Sequence, residues 1–414
     1  MPTIDISEIK IVDDSFNKND IINDIIKNQN QEDAFHILDV GEVVSRHKLW
    51  LEKIPRVTPY FAVKCNPNPT VIKIIADMNG NFDCASKKEI TDVMKYNVSG
   101  ERIIFANPMK AQSQIKFAKE VGVDKLTADC EFELYKIKDL FPEAKIVIRI
   151  RCDSKVTENN LGQKYGCNPN DEVFELINLT KSLNLTLYGF SFHVGSPCGD
   201  LNAYDEGIKI AKNLIDYAKS IGCYDACLID IGGGFPGEND FDLDKIANVI
   251  NKSIENIDPS IKIISEPGRY YVTAAFTAVA HLIGKKIIQS GNDEMKMYYV
   301  NDGTFGSFIE EMLNLKQRYP ISLNGTENNT KFLSSLWGPT CDAFDCILKN
   351  VFLPDFKVND WLIWNDMGAY TLACASSFNG FQGPEIYPFI RKKDQYTLKQ
   401  LISIVNNKKI NSQF

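Results

Sequence analysis

The sequence predicts an α/β protein, a (β/α)8 TIM barrel followed by a mainly β C-terminal domain. Three observations lead there. The chain has 414 residues, more than one compact core usually organises. From about residue 36 to 275, short β-rich runs alternate with longer amphipathic stretches through about eight units, the pattern of a parallel barrel. After residue 275 the alternation stops, and strands with glycine-rich turns take over.

In chain order, Met1–Lys10 alternates polar and apolar side chains, and residues 1–35 are expected to add a strand to the β domain. The barrel, residues 36–275, is expected to use strands Tyr60–Lys64, Asn81–Ser86, Arg102–Asn107, Lys125–Asp129, Lys145–Ile150, Leu187–Gly195, Cys227–Gly234 and Ile261–Gly268. Helical periodicity falls between them, at Asn68–Met78, Lys87–Tyr96, Ala111–Val121 and Ala203–Ile221. The same pattern would suit an open doubly wound sheet. The barrel is favoured by where the unusual residues fall: Lys64, Asp83, Asn107, Asp129, Arg149, His193, Gly232–Gly234 and Glu266 all end apolar runs. In a barrel those ends converge on one mouth. Residues 276–414 are expected to form the β domain, with strands Ala274–Ile288, Met297–Val300, Asp360–Asn365 and Ala369–Ser376 and a short helix beyond Lys399.

Composition excludes several classes. A net charge of −8 argues against a nucleic-acid partner, which calls for a basic face. No run approaches the length of a membrane-spanning helix, and Met1–Lys10 lacks the basic start and apolar core of a secretory signal. Eleven cysteines without such a signal point to reduced thiols in the cytoplasm. None forms a CxxC pair, so no metal site is expected.

Five places carry chemistry. Lys64 ends Tyr60-Phe61-Ala62-Val63, where apolar surroundings would lower its pKa and free the amine for an aldehyde cofactor. Gly232-Gly233-Gly234 lets backbone N–H groups approach an anion, though a tight structural turn would read the same. Glu266 could hold a pyridine nitrogen protonated, and Arg269 suits a phosphate; a surface ion pair is the plain alternative. His193, one of four histidines, stands beside Gly195 and Ser196, an open setting rather than a packed one. Cys341-Asp342 pairs a proton donor with a carboxylate between turn residues, where a structural cysteine would also fit.

Together these segments resemble the eukaryotic-type ornithine decarboxylase family, pyridoxal-phosphate enzymes of the alanine-racemase-like fold. The resemblance runs through Pro59–Asn66, Phe82–Ser86, His193–Ser196, Asp230–Gly237, Glu266–Val272, Tyr299–Gly303, Trp337–Asp342 and Met367–Thr371. It implies pyridoxal 5'-phosphate as cofactor, with Lys64 as its Schiff-base lysine, His193 stacked on its ring and Glu266 on its nitrogen. Ser196, Gly232, Gly233, Gly234, Arg269 and Tyr370 would hold its phosphate, with Asp83 near Lys64 and Arg149 in support. It further implies a homodimer with shared sites, in which Cys341 donates the proton that replaces CO2. Asp342 and Phe378 would meet the substrate's distal end, and Lys164 and Asp345 would pair across the interface. The implied reaction is decarboxylation of L-ornithine to putrescine, opening polyamine biosynthesis.

The match breaks at Leu313-Asn314, where the family has Tyr-Asp. Asn314 keeps a hydrogen-bond acceptor for the substrate's distal ammonium and loses the charge, so a raised KM for ornithine is expected. Lysine and arginine remain alternative substrates, as does a catalytically inactive homologue that binds antizyme. The Lys110–Leu140 stretch resembles an antizyme-binding region, its basic character diluted by Glu120, Asp124, Asp129, Glu131 and Glu133. No Pro/Glu/Ser/Thr-rich tail follows, so tail-driven turnover is not expected.

Overall fold

The computed structural model describes residues 9–152, 161–290, 293–325 and 330–411. The chain divides into two compact units. Among the described residues, the first holds Val44–Tyr271 and 400–411; the second holds 9–43 and Val272–Lys399. Residues 2–8 of the segment expected to feed the β domain lie outside the described residues.

The first unit is a closed barrel of eight parallel strands: Val57–Ala62, Asn81–Cys84, Ile103–Phe105, Lys125–Ala128, Lys145–Arg149, Thr186–Ser191, Leu228–Asp230 and Lys262–Ser265. Closure comes from the last strand pairing with the first, Ile263 opposite Val57. Parallel strands buried on both faces need continuous apolar runs rather than alternation, and Ile103–Phe105 and Lys125–Ala128 are buried at every position. Caps set the helix starts. Asn68 accepts from Thr70 N–H at 2.9 Å ahead of Pro69, the first residue of the helix Pro69–Asp77. Ser86 accepts from Glu89 N–H at 3.3 Å, and Glu89 Oε2 accepts from Ala85 N–H at 2.6 Å.

Every expected barrel strand has a counterpart, but the strands stop early. Val57–Ala62 ends two residues before Lys64, which sits in the single 3-10 turn Val63–Cys65. Thr186–Ser191 ends before His193, and Lys262–Ser265 ends before Glu266. Lys64, His193 and Glu266 thus belong to the segments that follow the strands, where they are no longer tied to the sheet's alternation, whereas Asp83 and Arg149 stay in theirs.

The second unit is a nine-stranded sheet in the order Lys10–Val12, Glu385–Arg391, Phe35–Asp39, Phe276–Ser290, Asp293–Val300, Lys331–Trp337, Cys346–Pro354. Trp361–Trp364 joins it through Phe276–Ser290 and carries Ile321–Ser322. The expected N-terminal strand is present at Lys10–Val12. The boundary expected at residue 36 falls inside Phe35–Asp39, a strand of this sheet. One expected strand is absent: Ala369–Ser376 forms a loop with a single 3-10 turn at Leu372–Cys374. Tyr370 there has φ +54, which a β-strand cannot contain. The helix expected after Lys399 begins earlier, at Lys392, and runs to Asn411.

Two charges of the Lys110–Leu140 stretch, Lys110 and Glu133, are buried. Lys110 Nζ meets Glu133 Oε1 at 2.8 Å with neither side chain exposed. No helix among the described residues is long and apolar enough to cross a membrane, and all eleven cysteines are free thiols.

Candidate active site

At the mouth of the barrel, Lys64 Nζ donates to Asp83 Oδ2 at 2.6 Å. The lysine side chain is 42% exposed while Asp83 is 1% exposed. The expectation of a desolvated lysine is therefore corrected: the amine reaches open space and is held by a buried carboxylate. The cause is the 3-10 turn, which lifts Lys64 off the apolar strand. Asp83 Oδ1 has no hydrogen-bond partner among the described residues.

His193 Nδ1 accepts the Gly195 N–H at 3.1 Å, so Nε2 carries the hydrogen in the neutral ring. Burial first, then the positive charges of Arg149 and Lys64, hold this imidazole well below its ordinary pKa. A neutral flat ring can cover an aromatic cofactor without burying a cation. Arg149 closes the strand Lys145–Arg149, its guanidinium 5.4 Å from the Tyr165 ring centroid.

The glycine loop is shaped for close approach. Gly232 has φ +65, and a Cβ there would lie 2.3 Å from Phe192 O. At Gly233 a Cβ would stand 3.0 Å from His193 Nε2 and 2.9 Å from Glu266 O. Gly234 has φ +103 and would collide with Gly195 O and the Tyr204 hydroxyl. Tyr204 Oη donates to Gly233 O at 2.9 Å, and Ser265 Oγ and Glu266 N–H donate to Gly232 O at 2.6 and 2.8 Å. The Ser196-containing loop is attached by Cys198 N–H to Gly234 O at 3.0 Å. Arg269 opens the short helix Arg269–Val272 and is largely buried.

Asp230 carried no role in the sequence reading, yet it is the deepest acid here. It is fully buried, its Oδ1 accepts Gly232 N–H at 2.9 Å, and its Oδ2, with no donor among the described residues, adjoins the Glu266 carboxyl. Two carboxylates offer no donor between them, so this pair must hold a proton. Burial raises both pKa values, and mutual repulsion and Asp83 raise Glu266 further, against the opposing pull of Lys64. The signal was in the sequence: an acid closing a fully apolar strand just before three glycines.

This pair has a measurable consequence. Its folded-state pKa values lie above the ordinary carboxylate value of about 4. Above pH 4 the unfolded chain has lost these protons while the native state keeps one, so stability falls as pH rises toward the raised values. Cofactor-free Asp230→Asn, whose amide can donate to Glu266, is expected to lose part of that slope. Thermal midpoints measured between pH 4 and 7 check it, and identical slopes in both proteins would refute the shared proton.

The remaining expected site residues lie in the second unit. Cys341 is exposed, and its N–H donates to Asn379 Oδ1 at 3.0 Å. Asp342 Oδ1 accepts Phe344 N–H at 2.7 Å. Phe378 stacks on Phe305 at 4.5 Å between centroids. Asn314 is exposed with φ +55, and Tyr370 lies in the loop described above. Asp345 is buried, and its carboxylate accepts Thr304 N–H at 2.7 Å, Thr304 Oγ1 at 3.1 Å and Thr340 N–H at 2.9 Å. It thereby shapes the turn that presents Cys341 and Asp342. Lys164 is exposed beside Tyr165.

A parallel barrel with a reactive amine at its mouth, a flat neutral imidazole, a glycine cradle and a proton-holding acid pair defines a cofactor-dependent enzyme. The family described as pyridoxal-dependent decarboxylase, pyridoxal binding domain, matches residues 40–273, and the chain belongs to it. Ornithine decarboxylase of Mus musculus is 39% identical over 97% of this chain and 91% of its own length. Antizyme inhibitor 2 of Xenopus laevis is 41% identical over 92% of this chain and 87% of its own. Among solved structures, the Paramecium bursaria Chlorella virus arginine decarboxylase bound to agmatine superposes with a TM-score of 0.85 at 36% identity. That match covers 90% of this chain and all of that one.

The residues fit pyridoxal 5'-phosphate. Gly232, Gly233 and Gly234 leave no room for a Cβ because their loop packs against Phe192, His193, Glu266, Gly195 and Tyr204, and the backbone N–H groups of so tight a glycine turn can meet a phosphate. Lys64 offers an amine for the aldehyde, and Glu266 a carboxyl for the ring nitrogen.

Proposed function

We propose that this protein decarboxylates L-ornithine to putrescine and CO2, the first step of polyamine biosynthesis, as a cytoplasmic homodimer with shared active sites. The observation that carries the reading is the convergence of Lys64, Asp83, His193 and Glu266 at the barrel mouth. The near-full-length likeness to ornithine decarboxylases supports the substrate.

When bound, pyridoxal phosphate supplies an electron sink for the bond to the departing carboxylate. The protein's residues do the rest. Lys64 would hold the cofactor through its aldehyde, with Asp83 orienting Nζ. Glu266, beside Asp230, would hold the ring nitrogen, and His193 would lie against the ring. Arg149 would support the site, and Ser196, the glycine loop, Arg269 and Tyr370 would hold the phosphate. The Cys341 thiol gives its proton to the carbon that lost CO2. Asp342 and Asn314 receive the distal ammonium, and Phe378 walls it. Because Cys341 would serve the partner's barrel, the assembly is an isologous dimer, and Lys164 and Asp345 are proposed to pair across it. The free thiols favour a reducing compartment.

A decarboxylase of arginine or lysine is the second reading, favoured by Asn314 and by the likeness to an arginine decarboxylase. CO2 release from L-ornithine, L-lysine and L-arginine by the holoenzyme decides between them. Release from none of the three would favour an inactive antizyme-binding homologue, a reading supported by the likeness to antizyme inhibitor 2. Asn314→Asp is expected to lower KM for ornithine roughly tenfold or more, from a hydrogen bond to a charged group worth about 1.5–3 kcal/mol. An unchanged KM would remove Asn314 from the substrate site.

A further inference from the structure

The segment that presents Leu313 and Asn314 is built on two acids that the function does not use. Glu310 and Glu311 are adjacent and both buried, a rare setting for carboxylates unless they are paired. One guanidinium serves both: Arg318 Nη1 meets Glu311 Oε1 at 2.8 Å and Nη2 meets Glu310 Oε2. The Arg318 side chain is itself 14% exposed.

The backbone of these glutamates holds the turn. Glu310 O accepts Leu315 N–H at 2.8 Å and Lys316 N–H at 3.3 Å, and Glu311 O accepts Asn314 N–H at 3.0 Å. Asn314 takes a left-handed conformation, which asparagine tolerates better than most residues. The path from Arg318 to Asn314 is therefore short: guanidinium, carboxylate, the same residue's carbonyl, and the Asn314 amide. The single turn Ile309–Met312 is too short to hold this shape unaided. Burial raises the Glu311 pKa against the pull of Arg318, which agrees with a carboxylate kept in place by its partner rather than by water.

We infer that Arg318 is a positioning residue for substrate selection: its two-carboxylate clamp fixes where Asn314 stands and so sets the distance at which the substrate's distal cation is met. The inference rests on the placement of Asn314 at the substrate's distal end. A guanidinium is required because only a planar fork spans two carboxylates at once; an ammonium is a point charge.

The test uses the holoenzyme with L-ornithine, L-lysine and L-arginine, comparing wild type, Arg318→Lys, Asn314→Ala and the double variant. Arg318→Lys is expected to raise KM for the preferred substrate roughly two- to tenfold, to leave kcat nearly unchanged and to narrow the preference among the three. In the Asn314→Ala background it is expected to add little, because it acts through that residue. A general loss of folding quality would instead lower kcat for all three substrates alike. Glu311→Gln, which keeps the side-chain shape, serves where Arg318→Lys does not fold. Independent multiplication of the two effects, or an unchanged preference, would overturn the inference. If Asn314→Ala leaves KM unchanged while CO2 is still released, the placement of Asn314 fails and takes the inference with it. If no substrate releases CO2, the proposed reaction itself fails.

Discussion

Lys64→Ala is expected to lower CO2 release by about a thousandfold or more, the largest effect on activity in the molecule. The amine has two tasks, to anchor the cofactor and to free the product, and removal of a covalent participant typically costs several orders of magnitude. The structure sharpens the expectation through Asp83. With its Oδ2 partner gone, a carboxylate 1% exposed is left facing an empty site, its other oxygen already without a partner. The fold should survive, because Lys64 is 42% exposed and its loss opens no cavity in the core. Reduction with borohydride followed by peptide mapping should find cofactor attached at Lys64 in the wild type and at no lysine in the variant. Retained activity, or attachment elsewhere, would remove Lys64 from its role.

Glu133→Ala is expected to be the most damaging single substitution for stability, at about 3–5 kcal/mol, the cost of breaking a buried ion pair. Glu133 accepts from Lys110 Nζ at 2.8 Å and from Lys110 N–H at 3.2 Å, and Lys136 approaches its other oxygen at 2.6 Å. Lys110 Nζ also donates to Thr127 O at 2.6 Å and Asn107 O at 2.9 Å. Burial lowers the Lys110 pKa to about 8, against the pull of Glu133. Without Glu133, the ammonium loses its only full counter-charge within hydrogen-bond reach among the described residues and is expected to shed its proton. The apolar double replacement Lys110→Met with Glu133→Leu should recover much of the loss, since it leaves no charge behind. Chemical denaturation of the three variants measures both effects. A loss below about 1 kcal/mol in Glu133→Ala, the scale of an exposed pair, would show that the site admits water.

The pair also illustrates where sequence reading runs out. Lys110 and Glu133 look like ordinary surface charges, because nothing local marks a lysine 23 residues from its partner as buried. Their burial follows from the loop that carries Lys110 meeting the first turn of the helix Glu131–Leu140. In the same way, the Asp230–Glu266 proton pair joins the ends of the last two barrel strands, which lie 36 residues apart in the chain yet are hydrogen-bonded neighbours. Arg318 is seven and eight residues from the glutamates it clamps, and because the helix between them ends at Met312, two-turn helical spacing does not account for the contact.

Much else was legible. Continuous apolar runs ending in Asp83, Arg149 and Glu266 predicted strands whose ends converge, because parallel strands buried on both faces leave polar groups nowhere to go but the rim. The glycine triplet predicted either an anion cradle or a tight turn, and φ +65 and +103 at Gly232 and Gly234 show the tight turn. The strand predicted at Ala369–Ser376 failed because its apolar composition says nothing about φ, and a positive φ at Tyr370 ends any ladder there.

The sequence alone determined the barrel, its register of chemical residues along the strands and the family to which the chain belongs, because periodicity and short motifs are local properties. Only the tertiary structure decided that Lys64 stands clear of its strand against Asp83, that His193 is neutral, and that Asp230 shares a proton with Glu266. Each of these depends on distance, burial and dielectric between groups far apart in the chain, and those quantities exist only once the chain has closed on itself.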